Sequence, residues 1–385
     1  MKIIHCVTDA VFIDGVIQSF NDVLGAEHNK YVCFPEQKTG FSIRYAKRGN
    51  QIVVSNRNSA LEYVHQENPD VLILHNLSSF PIEQLSKVRK GIKVVWFAWG
   101  YDLYSPFKGH KPFIPVNLHH TLTQKAYDKD YRDRLCLSLK YFRWHCLGYD
   151  RIVEEGINRI DYFSGVIPWE YEMMRSNRFF RAQKVDFSYC ENSNEACQEN
   201  LNDLAFTGNN ILVGNSDTYT NNHLDVFEEL KKQDIKDKKV IVPLNYGGPK
   251  RYRDEVLAVG KAYFKDQFVP ITDFMPLNEY NQLLASCRYS IFCLERQQAV
   301  GNIRVALWNG HTIFLSKTSP LYNHFKQQGY RVFSIQDDLH LISSDHLLSD
   351  KEIIANRKIR LSNDAREVHY AKIKKLYNLL ASEKI

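Results

Sequence analysis

A short apolar run that ends in glycine and turns into a helix constrains this chain more than any other feature. Ile211-Leu-Val-Gly214 is followed by Asn215, Ser216 and further small polar residues as far as His223, then by a helix-patterned run from Leu224 to Lys232. Such a corner leaves the first backbone N–H groups of the helix without partners and aims them past the end of the strand. A phosphate fits there. The same corner also serves as a plain connection in α/β proteins, with Asn221 or Asn222 as an N-cap, so its neighbours carry the argument.

Those neighbours repeat the pattern. Ile3–Val7, Lys30–Phe34, Val71–His75, Val94–Ala98 and Tyr162–Val166 read as strands, most of them buried on both faces, with helices at Gly15–Leu24, Ser59–Gln66 and Ile82–Lys90. From Gln183 to Asp203 the chain turns rich in Asn, Glu, Ser and Gln and reads as a linker. The alternation then restarts, with strands at Asn210–Val213, Val240–Pro243, Phe268–Pro270, Tyr289–Leu294 and Thr312–Leu315, and helices at 222–232, 249–264, 277–287 and 302–309. Lys351–Ser382 reads as a charged helical pair without a strand. The expected architecture is therefore α/β of the GT-B type: two Rossmann-like domains facing across a cleft, closed by C-terminal helices. The boundaries read as 1–185, a linker at 186–205, a second domain at 206–345 and helices at 346–385.

A net charge of +6 and 24% charged residues give no sign of a nucleic-acid binder. The eight cysteines are scattered without a CxxC pair; Cys190 and Cys197 stand too far apart for a zinc knuckle. They fit reduced thiols in a reducing cytoplasm. The Met1–Val7 run is too short and interrupted for a signal peptide, and no apolar run is long enough to span a bilayer.

Three corners of the second half carry candidate chemistry. The first holds Gly214, Asn215, Ser216, Asn221 and His223. The second is Val242-Pro-Leu-Asn-Tyr-Gly-Gly248, with Tyr246 at its tip and Arg251 and Arg253 beyond. In a parallel sheet, loops at the carboxyl ends of adjacent strands share one crevice, so these two turns are expected to meet around a diphosphate. The third is Phe292-Cys-Leu-Glu-Arg-Gln-Gln-Ala-Val-Gly-Asn302, which delivers Glu295, Arg296, Gln297 and Gln298 and opens a helix at Gly301-Asn302. Arg296 suits a diphosphate, and Glu295 with the two Gln amides suits sugar hydroxyls. The plain alternative for this corner is a structural ion-pair cluster.

In the first half, Trp96-Phe-Ala-Trp-Gly-Tyr-Asp-Leu-Tyr104 sets Asp102 after a buried strand, His75 ends the preceding one, and Asp9 and Asp14 follow the first. Asp102 is the first candidate for an acceptor contact or general base, with helix capping as its structural alternative. His75 also reads as a satisfied core histidine. Asp128-Lys-Asp130 resembles a DxD metal signature but lies in a charge-dense helical stretch and reads as a solvated face. From Tyr104 to Arg151, aromatics interleave with Lys108, Lys111, Lys140, Arg143 and other basic residues. That mixture suits an anionic membrane surface, or equally an ordinary exposed helical hairpin.

Several of these motifs come together in one family. Trp96-x-x-Trp-Gly-x-Asp-Leu-Tyr104, Ile211-Leu-Val-Gly-Asn-Ser216 with Asn221 and His223, Val242-Pro-x-x-Tyr246, and Arg296-Gln-Gln298 followed by Gly301 stand in family order. The chain thereby resembles the bacterial TDP-4-acetamido-4,6-dideoxygalactose (Fuc4NAc) lipid II transferases, glycosyltransferase family 56. The resemblance implies a dTDP-sugar donor, a polyprenyl-diphosphate-linked saccharide acceptor and no metal or other cofactor. It also implies peripheral attachment to the cytoplasmic face of the bacterial inner membrane. Asp102, His75 and Arg296 become the catalytic candidates. The donor candidates are Gly214, Asn215, Ser216, Asn221, His223, Tyr246, Glu295, Arg296, Gln297, Gln298, Gly301 and Asn302. Two departures touch the donor side: Gly247-Gly248-Pro249 where the family loop is richer in Asn, and Ala299 where it has glycine. Many GT-B enzymes grip both ribose hydroxyls with a Glu early in the helix after the third loop; Ile303–Leu307 has no carboxylate, as suits a deoxyribose.

Two other functions share these features: a sugar-nucleotide epimerase of the same fold, and a non-catalytic sugar-nucleotide-binding subunit of a polysaccharide assembly complex. Donor turnover without acceptor marks the former. Tight dTDP binding without transfer marks the latter.

Overall fold

The computed structural model describes residues 1–10, 12–36, 41–189, 201, 208–345 and 348–382. Apolar runs without polar alternation can be buried on both faces, and here they form the middle of two parallel sheets. The first contains β1 (Ile3–Val7), β2 (Asn29–Cys33), β3 (Ile52–Val54), β4 (Val71–Leu74), β5 (Lys93–Phe97), β6 (Tyr162–Ser164) and β7 (Gln183–Lys184). Their order is β3-β2-β1-β4-β5-β6-β7. The second contains β8 (Asn210–Val213), β9 (Val240–Pro243), β10 (Phe268–Ile271), β11 (Cys287–Phe292), β12 (Thr312–Leu315) and β13 (Phe333–Ser334), in the order β10-β9-β8-β11-β12-β13. All pairings are parallel. In each sheet the first strand in the chain lies inside and the winding reverses beside it, at β1/β4 and at β8/β11. Loops at the carboxyl ends of such a pair diverge and leave a crevice.

The chain divides into two units, and each draws on more than one stretch of sequence. The first takes 1–115, 136–195 and 364–385; the second takes 116–135 and 196–363. The last helix, Arg366–Ser382, returns to the first sheet because Ile373, Leu376 and Leu380 recur on one face and join a core built on Ile3, Phe20, Ile73 and Phe97. Each such side chain contributes about 1.5–3 kcal/mol of burial. The second core gathers Val213, Phe227, Val242, Tyr252 and Ile291, with Leu122 and Ala126 of the helix Thr121–Asp128 packed into it.

Two differences from the sequence reading have local causes. The expected linker opens with structure: Val185 and Phe187 are core residues, and the Phe187 ring stacks on Phe97 at 3.9 Å. The alternation of Val185, Phe187 and Tyr189 is a strand-like signal hidden by polar neighbours. Residues 190–200 and 202–207, with Cys190 and Cys197 and most of that linker, lie outside the described residues. The helix expected over Ile82–Lys90 ends at Leu85, where Lys87 and Val88 bond three residues back instead of four. The C-terminal helical pair is present, as Asp350–Asp364 and Arg366–Ser382. Among the described residues no helix is long and apolar enough to cross a membrane.

Candidate functional site

At the end of β8 the chain takes a turn that only glycine enters freely. Gly214 has φ +70, and a Cβ there would lie 2.8 Å from His223 Nε2 and 2.9 Å from Asn221 Oδ1. The fully buried Asn221 braces the loop from inside. Its Oδ1 accepts from Asn215 N at 3.1 Å, and its Nδ2 donates to the Ser216 carbonyl and Thr218 Oγ1, both at 2.9 Å. His223 begins the helix His223–Leu230 beneath it, with Nδ1 3.4 Å from the Tyr252 hydroxyl. Burial pushes its pKa down to about 3, so the ring is neutral.

The second turn locks onto the first, as its position after the neighbouring strand leads one to expect. Asp217 N donates to the Tyr246 carbonyl at 3.1 Å, and the buried Asp217 carboxylate accepts from Gly248 N. A Cβ on Gly248 would stand 1.9 Å from the Asp217 carbonyl oxygen. Asn215 Nδ2 donates to the Tyr246 hydroxyl at 3.2 Å. Arg253 stands 3.8 Å from Asp217, and Arg251 bonds the Lys129 carbonyl and Asp130. Both arginines are thus engaged with the protein's own acceptors.

The third loop completes the cluster through Gln298. Its Nε2 donates to Asn215 Oδ1 at 3.2 Å, and its Oε1 accepts from Thr220 Oγ1 at 2.6 Å. Gln297 is largely buried and Arg296 half-buried beside it. Ala299 takes φ +57, and the helix Val300–Trp308 starts next, with Gly301 and Asn302 in its first turn. Its free N–H groups and positive dipole end suit an anion. Glu295 is committed elsewhere. Its carboxylate meets His120 Nε2 at 2.6 Å, Thr318 Oγ1 at 2.8 Å and Ser316 Oγ. Burial works to raise its pKa, yet these hydrogen bonds hold it below the usual range, while the bond to Glu295 raises His120.

His120 belongs to the stretch from Tyr104 to Arg151, whose aromatic and basic residues suit a membrane-facing surface or an exposed helical hairpin. Instead, Asp225 caps the helix Thr121–Asp128 by accepting from Leu122 N at 2.8 Å and Thr123 N at 2.9 Å. Asn222 accepts from His120 N at 2.8 Å and donates to the Cys293 carbonyl at 2.9 Å. Asp130 is correspondingly not a solvated residue: it accepts from Tyr219 and Arg251 and is mostly covered. Asp128 accepts from Gln124, one turn back.

In the first unit, Asp102 and His75 are enclosed. Asp102 Oδ2 accepts from Trp99 N at 3.0 Å, Leu77 N at 3.2 Å and Trp96 Nε1 at 3.4 Å, tying the loops after β4 and β5 together. Burial raises its pKa to about 7 against those donors. His75 Nε2 lies 3.0 Å from His5 Nδ1, and its Nδ1 lies 3.3 Å from the Tyr189 hydroxyl. Burial lowers His75 well below the usual histidine range. Asp9 accepts from the backbone of Arg44, Tyr45 and Ala46, and Asp14 from that of Lys47 and Arg48. These two aspartates fix a loop beside a cavity of about 450 Å³ lined by Thr8, Glu36, Arg44 and Tyr45, past the carboxyl ends of β1 and β2.

Two parallel α/β units, each with a winding reversal in its sheet, make up the GT-B fold of glycosyltransferases. Solved structures agree in fold. A glycosyltransferase from Rickettsia africae ESF-5 superposes at TM-score 0.63 with 12% identity, over 100% of this chain and 99% of that one. The trehalose-6-phosphate synthase OtsA does so at TM-score 0.62 with 8% identity, over 100% and 99%. A UDP-forming trehalose-phosphate synthase from Burkholderia xenovorans, in complex with glucose-6-phosphate, gives 0.60 with 9% identity, over 99% and 100%. The chain belongs to glycosyltransferase group 56, whose family description is 4-alpha-L-fucosyltransferase; the family pattern matches residues 139–361.

Proposed function

We propose that this glycosyltransferase moves a deoxy-amino or acetamido-hexose, of the Fuc4NAc kind, from a dTDP-sugar to a polyprenyl-diphosphate-linked saccharide. The observation that carries this reading is the meeting of three polar loops at the carboxyl ends of β8, β9 and β11, joined through Gln298. Backbone N–H groups at Gly214–Ser216 and the start of the helix Val300–Trp308 receive the diphosphate. Arg296 and Gln297 close on it, and Tyr246 flanks the nucleotide side. Charge developing on the leaving diphosphate meets preoriented donors and a helix N-terminus, so this reading calls for no metal at the reacting atoms. Asp102 and His75 shape the loops of the first unit from within. The Arg44 loop and its cavity supply an acceptor surface with a cation for the acceptor's diphosphate.

Attachment to an anionic membrane, at the cytoplasmic face of a bacterial inner membrane, belongs to the same proposal. Its support is the helix Tyr131–Cys146, where Leu139 and Phe142, with Leu147 just beyond, lie open beside exposed Lys140 and Arg143. The test is thermal-shift titration with dTDP, UDP and GDP, followed by transfer assays on a lipid-linked acceptor. Stabilisation by dTDP above the others, and loss of both binding and transfer in Arg296→Ala, are expected. An Arg296→Ala enzyme with full activity overturns the assignment. Donor turnover without acceptor points to an epimerase, and dTDP binding without transfer to a binding subunit.

A further inference from the structure

His120, Cys293 and Glu295 offer an imidazole nitrogen, a thiol sulfur and a carboxylate oxygen that all lie within 4.8 Å of one another. We propose that they form a binding site for a zinc-class divalent cation that clamps the 118–130 stretch onto the end of β11.

The donor set is one that zinc takes, since zinc accepts sulfur, imidazole nitrogen and carboxylate oxygen in tetrahedral geometry. With Zn–S about 2.3 Å and Zn–N about 2.0–2.1 Å, the S···N edge of a tetrahedron is about 3.5 Å. Cys293 Sγ lies 3.7 Å from His120 Nε2. His120 Nε2 and Glu295 Oε1 are closer, at 2.6 Å, because a proton now joins them. A cation in place of that proton needs them about 0.7 Å further apart, to reach an N···O edge of about 3.3 Å. Binding forms Zn–S, Zn–N and Zn–O bonds and sends two protons to solvent, the Cys293 thiol proton and the one shared by His120 Nε2 and Glu295, while the imidazole keeps its proton on Nδ1.

The backbones that carry these groups are already fixed. The Asn222 carboxamide accepts from His120 N at 2.8 Å and donates to the Cys293 carbonyl at 2.9 Å, so one side chain sets both ligand segments. Cys293 and Glu295 stand two residues apart just past β11, the spacing that puts side chains on one face of an extended chain. Ser316 and Thr318 hold the carboxylate by hydroxyl hydrogen bonds, the outer support that orients a ligating carboxylate. His120 and Cys293 also line a cavity of about 640 Å³, through which a cation would reach the thiol and the imidazole.

The test uses the full chain, stripped with EDTA and dialysed. One equivalent of Zn²⁺ is expected to remain bound after gel filtration. One equivalent of Co²⁺ is expected to give a near-ultraviolet thiolate charge-transfer band and the intense visible bands of a tetrahedral ion. Cys293→Ser should abolish the charge-transfer band, and Ser316→Ala should weaken Zn²⁺ by about 10–100-fold. A pale octahedral Co²⁺ spectrum from the native chain, or Zn²⁺ retention unchanged in Cys293→Ser, overturns the site. Should Cys293→Ser fail to fold, the native Co²⁺ spectrum decides alone.

Discussion

Gln298 Nε2 lies 3.2 Å from Asn215 Oδ1, and this hydrogen bond spans 83 residues of sequence to join the loop after β11 to the loop after β8. The other end of the same carboxamide accepts from Thr220 at 2.6 Å. One side chain therefore sets the spacing between the two segments proposed to receive a diphosphate. Neither bond lies in the hydrophobic core, so the arrangement orders a binding surface more than it stabilises the fold.

That division gives the first prediction. Gln298→Ala should leave the melting temperature nearly unchanged while weakening dTDP binding by about 5–30-fold, the worth of one or two ordering hydrogen bonds. Asn215→Ala should do the same, and the double variant should lose less than the sum, because the residues share a bond. Strictly additive losses in a calorimetric cycle would show that the two loops act separately.

Gly214 carries the second. Alanine there meets an unfavourable positive φ, costing about 1–2 kcal/mol. Its Cβ also runs into His223 and Asn221, both fully buried and unable to withdraw. Overpacking adds about 1–3 kcal/mol. Gly214→Ala should therefore lose roughly 2–5 kcal/mol in urea unfolding. A loss below 1 kcal/mol would mean that the turn relaxes freely.

This turn also shows how far the sequence could be read. A strand ending in glycine at 214, a second glycine turn at 247–248 and a third corner before Gly301 are local patterns, and the structure brings their loops together. The long central strands were legible for the same reason. Strands β3, β7 and β13 were not: each has two or three residues, so that even the apolar Ile52-Val53-Val54 is too short to stand out as a strand. His120 and Asp225 escaped notice, and Asn222 was read only as an N-cap, because their partners lie about a hundred or more residues away. Composition cannot tell a charged stretch that faces water from one, like 118–130, whose backbone is capped by distant side chains. Residue type alone likewise could not separate a loop brace such as Asn221 from a ligand contact.

Buried histidines set the pH response of the fold. Burial pushes His5 and His311 down to about 4 and His223 to about 3, while the unfolded chain titrates near 6.5. Below pH 6.5 the unfolded state takes up protons that the folded state refuses, so stability is full above that pH and falls as pH drops toward 4. Each such histidine contributes a slope of about 1.4 kcal/mol per pH unit in that window. Urea midpoints at pH 7.5, 6 and 5 should fall in that order, and His5→Gln should flatten the trend. A midpoint that rises on acidification would contradict neutral burial.

The exposed helix Tyr131–Cys146 yields a binding prediction. Phe142 is 67% exposed and Leu139 60%, with Lys140 and Arg143 open beside them. Lys108, by contrast, is already paired with Glu83, so reversing its charge tests folding as much as docking. Leu139→Ser with Phe142→Ser should cut sedimentation with vesicles containing anionic lipid, and Lys140→Glu with Arg143→Glu should remove the dependence on salt. Each basic residue near such a surface contributes about 1 kcal/mol. Unchanged sedimentation in both double variants would place the contact elsewhere.

Asp102 separates positioning from proton transfer. Its Oδ2 collects three donors, while Oδ1 has no hydrogen-bond partner among the described residues. Burial lifts its pKa from 3.8 to about 7, so the folded state keeps the proton to higher pH than the unfolded chain does. The sign is opposite to that of the histidines: this group's contribution falls as pH rises from about 4 to 7, then stays level. Asp102→Asn keeps an acceptor for Trp99 N and Leu77 N but never ionises. Its gain over the native chain should grow by roughly 2–3 kcal/mol between pH 5 and pH 8. Transfer within about tenfold of native would assign Asp102 to holding the loops after β4 and β5. A loss of several orders of magnitude with an intact melting curve would instead make it the reacting base.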